Sequence, residues 1–178
     1  MNLKKYLALL SVPAILLLIS YRGQTVENFE VNSFPTIHGK NLNKVKKSVP
    51  DDFVDKNLIA ILAFQQWHQP IVDESIRVLE THELDQDFNI IEVPTIAEFT
   101  KLGQMYLDGT MRAAIKDDFI RNRTITVYLN KESLREALEI PNENEIYWFV
   151  IKKDSNEIIF RGVGVIQESD IEDIENLS

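Results

Sequence analysis

Four consecutive residues, Trp67-His68-Gln69-Pro70, gather the side chains of this chain best suited to recognition or acid–base work. An imidazole titrates near neutrality and can carry a proton to or from a reacting group. In that use it needs a carboxylate to orient it and a nucleophile to act with, and no motif here supplies both. Asp73 and Glu74 follow closely, yet acids are common in the first turn of any helix, where they meet its positive end. The second use is binding. If a helix opens at Gln69, its unpaired amides can meet an anion or a peptide carbonyl, and an exposed Trp67 can anchor a partner. The competing reading, and the favoured one, is a loop with Trp67 packed on the domain and Pro70 opening the helix, since position in a fold does not establish function.

Other chemistries fare worse. The chain contains no cysteine, so its own side chains cannot carry out thiol–disulfide exchange, which needs a thiolate. His38, His68 and His82 lie far apart in sequence and lack the short spacing of a metal-binding helix. No metal and no cofactor is therefore expected. Arg121 and Arg123 flank Asn122, with Arg161 farther on, and two guanidinium groups can clasp an anion or a partner's carboxylate. Asp117 and Asp118 stand beside them, however, and ion pairing within the chain is the favoured reading.

The elements that must hold these residues follow from periodicity. Residues 58–64, Leu-Ile-Ala-Ile-Leu-Ala-Phe, read as a buried strand. Val72, Ile76 and Leu79 share one face of a helix expected over 69–83, with Pro70 tolerated in its first turn. A second strand is expected over 89–93, stopped by Pro94. Residues 95–116 then have helical spacing, with Ile96, Phe99, Leu102, Met105 and Tyr106 as the apolar set, weakened by Gly103 and Gly109. Residues 124–128 alternate as a strand with one polar face, and a short helix follows over 131–138. A hairpin of 146–151 and 157–161 turns at 153–156 and is ended by Gly162 and Gly164. Its consecutive Tyr147, Trp148 and Phe149 must point to both faces of the sheet. Near the start, 34–42 reads as a short hairpin turning at Gly39. At the end, Ile171, Ile174 and Leu177 form one stripe of a helix whose acids, within 168–175, face solvent.

Composition bounds the whole. Of 178 residues 44% are apolar, enough for one domain with a real core. Of the 19 basic residues, three (Lys4, Lys5 and Arg22) lie in residues 1–23, which hold no acid. The remainder therefore sets 16 basic against 28 acidic residues, a net −12. Nucleic acid and anionic lipid head groups are not expected as partners of so acidic a domain. Residues 1–23 read as a signal anchor, with a cleaved signal peptide as the alternative. Two lysines precede an uncharged stretch of 16 residues, 6–21, about 24 Å long as a helix against a hydrocarbon core of about 30 Å. A cleavage after Ser20 would put Leu18 where a small residue is preferred. Residues 4–22 are thus the expected membrane contact, 24–33 a polar linker and 34–178 the folded domain, held on the far side of the membrane from the lysines.

Together these features carry a resemblance. Trp67-His68-Gln69-Pro70-Ile71, after a buried strand and before a helix, resembles the Trp-Cys-x-Pro-Cys turn of the thioredoxin-like superfamily, redoxin branch, with His68 and Ile71 at the cysteine positions. Catalytic members also place a cis-proline before the strand of the final hairpin. Here Asn144-Glu145-Ile146 offers none, and Val93-Pro94-Thr95 comes far too early. Over roughly 34–166 the chain is similar to one branch in particular, the family of the mitochondrial ATP synthase assembly factor and its bacterial relatives. The matching features are Phe34-Pro35 with Gly39-Lys40-Asn41-Leu42, Val49-Pro50-Asp51-Asp52-Phe53, Ala63-Phe64-Gln65-Gln66-Trp67-His68-Gln69, Arg123-Thr124-Ile125-Thr126-Val127-Tyr128, Leu138-Glu139-Ile140-Pro141, and Ile151 through Gly164 as strand, turn, strand, glycine. The resemblance implies a thioredoxin-like α/β fold, a central mixed sheet flanked by helices behind an N-terminal membrane anchor helix. It implies a redox-inactive binding or assembly protein with a membrane-protein or envelope-complex partner, its domain periplasmic or otherwise extracytoplasmic. Two alternatives remain: an enzyme using non-thiol chemistry at His68, and a structural component of an envelope complex. The first requires a His68–carboxylate hydrogen bond inside a concave pocket, the second a large apolar patch away from 67–70.

Overall fold

A computed structural model describes residues 32–178. The expected anchor, 4–22, and residues 24–31 of the expected linker lie outside the described residues. Asn32 and Ser33 already meet the domain: Ile158 N–H donates to the Asn32 carbonyl at 2.7 Å, and Ser33 bridges Glu157.

Strands β1 (Ile37–Asn41) and β2 (Lys46–Val49) form the opening hairpin. Then come β3 (Asn57–Ala63), α1 (Gln69–Thr81), β4 (Phe88–Ala97), α2 (Lys101–Ala114) and α3 (Asp118–Arg123). The chain closes with β5 (Ile125–Leu129), α4 (Lys131–Ala137), β6 (Tyr147–Ile151), β7 (Ile158–Val163) and α5 (Glu168–Glu175). The strands make one mixed sheet in the order β2-β1-β5-β4-β3-β6-β7. Its centre, β3 with β4 and β4 with β5, is parallel, and both wings are antiparallel.

β3 is apolar at nearly every position because helices cover both of its sides. Leu58, Ala60 and Leu62 join Val93, Val127, Leu134 of α4, Tyr147 and Phe149 in one core. Ile59 and Ile61 join Val72, Ile76 and Leu79 of α1, Trp148, and Ile171 and Ile174 of α5 in the other. The consecutive aromatics do point both ways, and all three are buried. Ser75 links α1 to the approach to α5 by donating to the Ile71 carbonyl (2.9 Å) while accepting the Ile166 N–H (3.0 Å).

Four expectations about elements need correction. Gly39 lies inside β1, not at its turn, which falls at residues 42–44 with Lys44 at φ 68°. A Cβ at Gly39 would stand 2.5 Å from the Thr126 carbonyl oxygen, so glycine there lets β1 lie against β5. Pro94 does not end the second strand. The ladder with β3 finishes at Ala63↔Pro94 and the ladder with β5 starts at Thr95↔Val127, so proline occupies the seam between partners. Residues 95–97 are consequently strand, and the helix expected over 95–116 occupies 101–114 and buries none of its residues. Gly162 does not terminate the last hairpin but sits within β7 opposite Trp148, where a Cβ would come within 2.0 Å of the indole ring.

Overpacking a well-filled core typically costs about 1–3 kcal/mol. Gly162→Ala is expected to destabilise the domain by an amount in that range, measured by urea unfolding followed through Trp148 fluorescence. Unchanged stability would contradict the close packing of Trp148 on the β7 backbone.

Candidate functional site

β3 delivers the chain to a short 3-10 turn, Gln66–His68, and α1 begins directly after it with Pro70 in its first turn. No side chain caps that N-terminus. The four singled-out residues diverge in environment. Trp67 is 57% exposed, so it does not pack into the domain, whereas its neighbour His68 is fully buried. The two rings meet edge to face at 4.2 Å between centroids. The backbone N–H of Phe64 donates to His68 Nδ1 at 3.3 Å. That bond places the ring proton on Nε2, which is buried without a hydrogen-bond partner. Burial pushes the His68 imidazole below its ordinary range, opposed in part by the Asn144 backbone and the carboxylates of Glu145 and Glu143. Gln69 Nε2 donates to Asp73 Oδ1 at 2.9 Å and to the buried Glu92 Oε2 at 3.1 Å.

The loop is strapped to the segment before β6. Gln65 Nε2 donates to Glu143 Oε2 at 3.1 Å, Lys131 of α4 donates to the same oxygen, and Arg135 pairs with Glu143 at 3.6 Å. A buried neutral imidazole without a carboxylate partner is a structural prop, while Trp67 beside it is free to touch another molecule.

Arg121 and Arg123 are engaged separately. Arg121 donates to the carbonyls of Ile115 (2.6 Å) and Arg112 (3.0 Å), closing the C-terminal end of α2. Arg123 pairs with Glu80 of α1 and lies over the Phe119 ring at 5.2 Å. Neither pairs with Asp117 or Asp118: Asp117 caps α3 by accepting the N–H groups of Phe119 and Ile120. Among the described residues no three histidines or carboxylates stand where they could jointly hold a metal ion.

A feature that sequence reading missed lies on α2. Leu102 and Tyr106 are each 79% exposed and Met105 is 70% exposed, so three large apolar side chains of this helix look outward. The side turned toward the sheet is mixed: Leu107 and Met111 are half-buried there, and the Tyr128 hydroxyl donates to Asp108 Oδ1 at 2.6 Å. Burial, together with that bond, pushes the Tyr128 phenol well above its ordinary range and keeps it a donor. Periodicity reports two faces of a helix but not which one meets the sheet. The polar alternation of 124–128 was the available clue, because a partly polar strand face leaves less apolar surface for a helix to cover.

With this geometry in hand, comparisons with known proteins add the fold. No protein-family model matches the chain, and no curated protein matches it either. Solved structures do. A thiol-disulfide oxidoreductase from Bacteroides fragilis is similar at 13% identity and a TM-score of 0.55, over 82% of this chain and 99% of that one. A DsbF homologue from Corynebacterium diphtheriae matches at 18% identity and 0.53, over 82% and 84%. The exposed lipoprotein thioredoxin of Streptococcus pneumoniae matches at 11% identity and 0.52, over 80% and 98%. The chain therefore has a mixed α/β thioredoxin-like fold, a central mixed sheet flanked by helices, and it has it without a cysteine. Among the described residues no helix is long and apolar enough to cross a membrane.

Unfolded His68 takes up its proton near the ordinary value of 6.5, and folded His68 only at lower pH. Stability is therefore lost as pH falls from about 6.5 toward the folded value. His68→Asn, whose carboxamide oxygen can still accept the Phe64 N–H, should show a shallower fall of the urea midpoint between about pH 7 and 5. Equal slopes for the two proteins would contradict burial of a neutral imidazole.

Proposed function

We propose that this chain is a redox-inactive, membrane-tethered thioredoxin-like module that binds a membrane-protein or envelope-complex partner and assists its folding or assembly. The observation that carries the reading is the outward apolar face of α2, Leu102, Met105 and Tyr106, on an otherwise acidic domain. Monomeric domains rarely leave a contiguous apolar face uncovered unless something docks there. The exposed Trp67 adds an aromatic anchor of the kind that dominates interface energetics. The absence of cysteine leaves binding, not thiol exchange, as the use of the scaffold.

The assembly half of the reading rests on the resemblance to the ATP synthase assembly factor family. The tether rests on the charge pattern and apolar stretch of residues 4–22. The neighbour named as an exposed lipoprotein thioredoxin is in keeping with an extracytoplasmic domain. The enzyme alternative lacks its requirement, since His68 is buried and its Nδ1 accepts a backbone N–H instead of meeting a carboxylate. The alternative of a structural subunit in an envelope complex shares the α2 face and differs only in whether the partner is held permanently.

Crosslinking of the full chain in native membranes, followed by pull-down, tests the reading. A membrane protein should be recovered with wild type and reduced about tenfold or more by Leu102→Ser/Tyr106→Ser, with a smaller loss for Trp67→Ala. Recovery unchanged in both variants would overturn it.

A further inference from the structure

Beneath Gln104 and Asp108 of α2 lies a cleft of about 440 Å³ whose floor is the β2-β1-β5 edge of the sheet. That is the size range of small-molecule sites. Register brings Lys40 of β1 directly opposite Lys46 of β2 on one flank and opposite Thr126 of β5 on the other, and His38 opposite Ser48. Two ammonium groups and a hydroxyl thus form a row across three strands on one face.

Three observations show that this row lacks a partner. First, among the described residues no carboxylate lies within 4.0 Å of Lys40 or Lys46, although acids far outnumber bases in the domain. Like charges directly opposite on antiparallel strands destabilise the pair. Second, Thr126 is 2% exposed and lines the cleft, yet its Oγ1 has no hydrogen-bond partner. A buried hydroxyl is nearly always satisfied, by protein, water or ligand. Third, the acid on the cleft wall, Asp108, is held by the Tyr128 hydroxyl. The nearby Lys47 is engaged elsewhere, over the Phe53 ring. No acid occurs anywhere between residues 31 and 50, so the positive character of this edge is continuous in sequence.

We propose that the cleft binds the phosphate group of a small molecule or lipid headgroup, with Lys40 and Lys46 neutralising its charge and Thr126 donating to one of its oxygens. Ammonium groups serve as point charges for such dianions, and the volume beyond the phosphate admits the organic part that carries it. None of the residues of the 67–70 loop lines this cleft, so the site is separate from the one expected by position in the fold.

Calorimetry on the full chain at constant ionic strength, with inorganic phosphate and glycerol 3-phosphate as probes, tests it. Saturable binding of one equivalent is expected. It should weaken about tenfold in Lys40→Gln and in Lys46→Gln, the scale of one lost charge-assisted hydrogen bond, and by a smaller factor in Thr126→Val, while Lys152→Gln leaves it unchanged. A second readout does not depend on that assay: Lys46→Gln should raise the melting temperature in phosphate-free buffer and lose the stabilisation that phosphate gives wild type. Lysine-dependent retention on phosphatidic acid vesicles without binding of soluble phosphate would place the phosphate on a headgroup and would also support the proposal. Equal stabilisation by phosphate and chloride, or wild-type affinity in the lysine variants, would overturn it.

Discussion

The structure depends on one constraint: the parallel strands β3 and β4 at the centre of the sheet must be covered on both sides. α1 and α5 close one side and α4 the other, with Trp148 filling the first core and Phe149 the second. The cost of exposing the many apolar side chains of β3 on either face is far larger than any single polar contact in the domain. Once those helices are committed to the centre, the β2-β1-β5 edge is left with a polar face. Lys40, Thr126 and Tyr128 can be met only by polar residues of α2 such as Gln104 and Asp108 or by something from outside. The loose seating of α2, none of whose residues is fully buried, follows from that, and with it both the outward Leu102, Met105 and Tyr106 and the lysine-lined cleft.

The loop at 65–70 shows what a thioredoxin-like scaffold keeps when it holds no cysteine. The strand–turn–helix geometry persists because it is enforced from below. Phe64 N–H fixes the His68 ring, Glu143 gathers Gln65, Lys131 and Arg135, and Gln69 reaches the buried Glu92. At the position expected to face reaction, the ring is buried and neutral, which suits a packing group. Trp67, projecting from this rigid base, loses little entropy on contact with a partner.

Much of the fold was legible because its strongest signals are short and local. The apolar run at 58–64, the stripe Val72, Ile76 and Leu79, the final hairpin and the stripe Ile171, Ile174 and Leu177 all became the expected elements. The misread positions share a cause: Gly39, Pro94 and Gly162 look like chain breakers in sequence, but each sits in a strand because of a neighbour distant in sequence, namely β5, the change of ladder, and Trp148. The candidate site was legible as a loop and not as an environment. Trp67 and His68 are adjacent, and nothing local reveals that one ring is exposed and the other buried. Arg121 and Arg123, two residues apart, go to α2 and α1 respectively. The lysine row was invisible for the same reason, since Lys40, Lys46 and Thr126 become neighbours only through strand register.

The proposal at stake is that this domain presents Leu102, Met105 and Tyr106 of α2, together with Trp67, to a membrane-protein partner. Its most direct test is site-specific photocrosslinking of the full chain in its own membranes, with the photoreactive side chain at Met105, at Trp67 or, as a control, at the exposed Glu172 of α5. The account predicts a discrete adduct with one membrane protein from position 105, a weaker one from 67 and none from 172. Adducts of equal strength from all three positions, or none from 105, would contradict it.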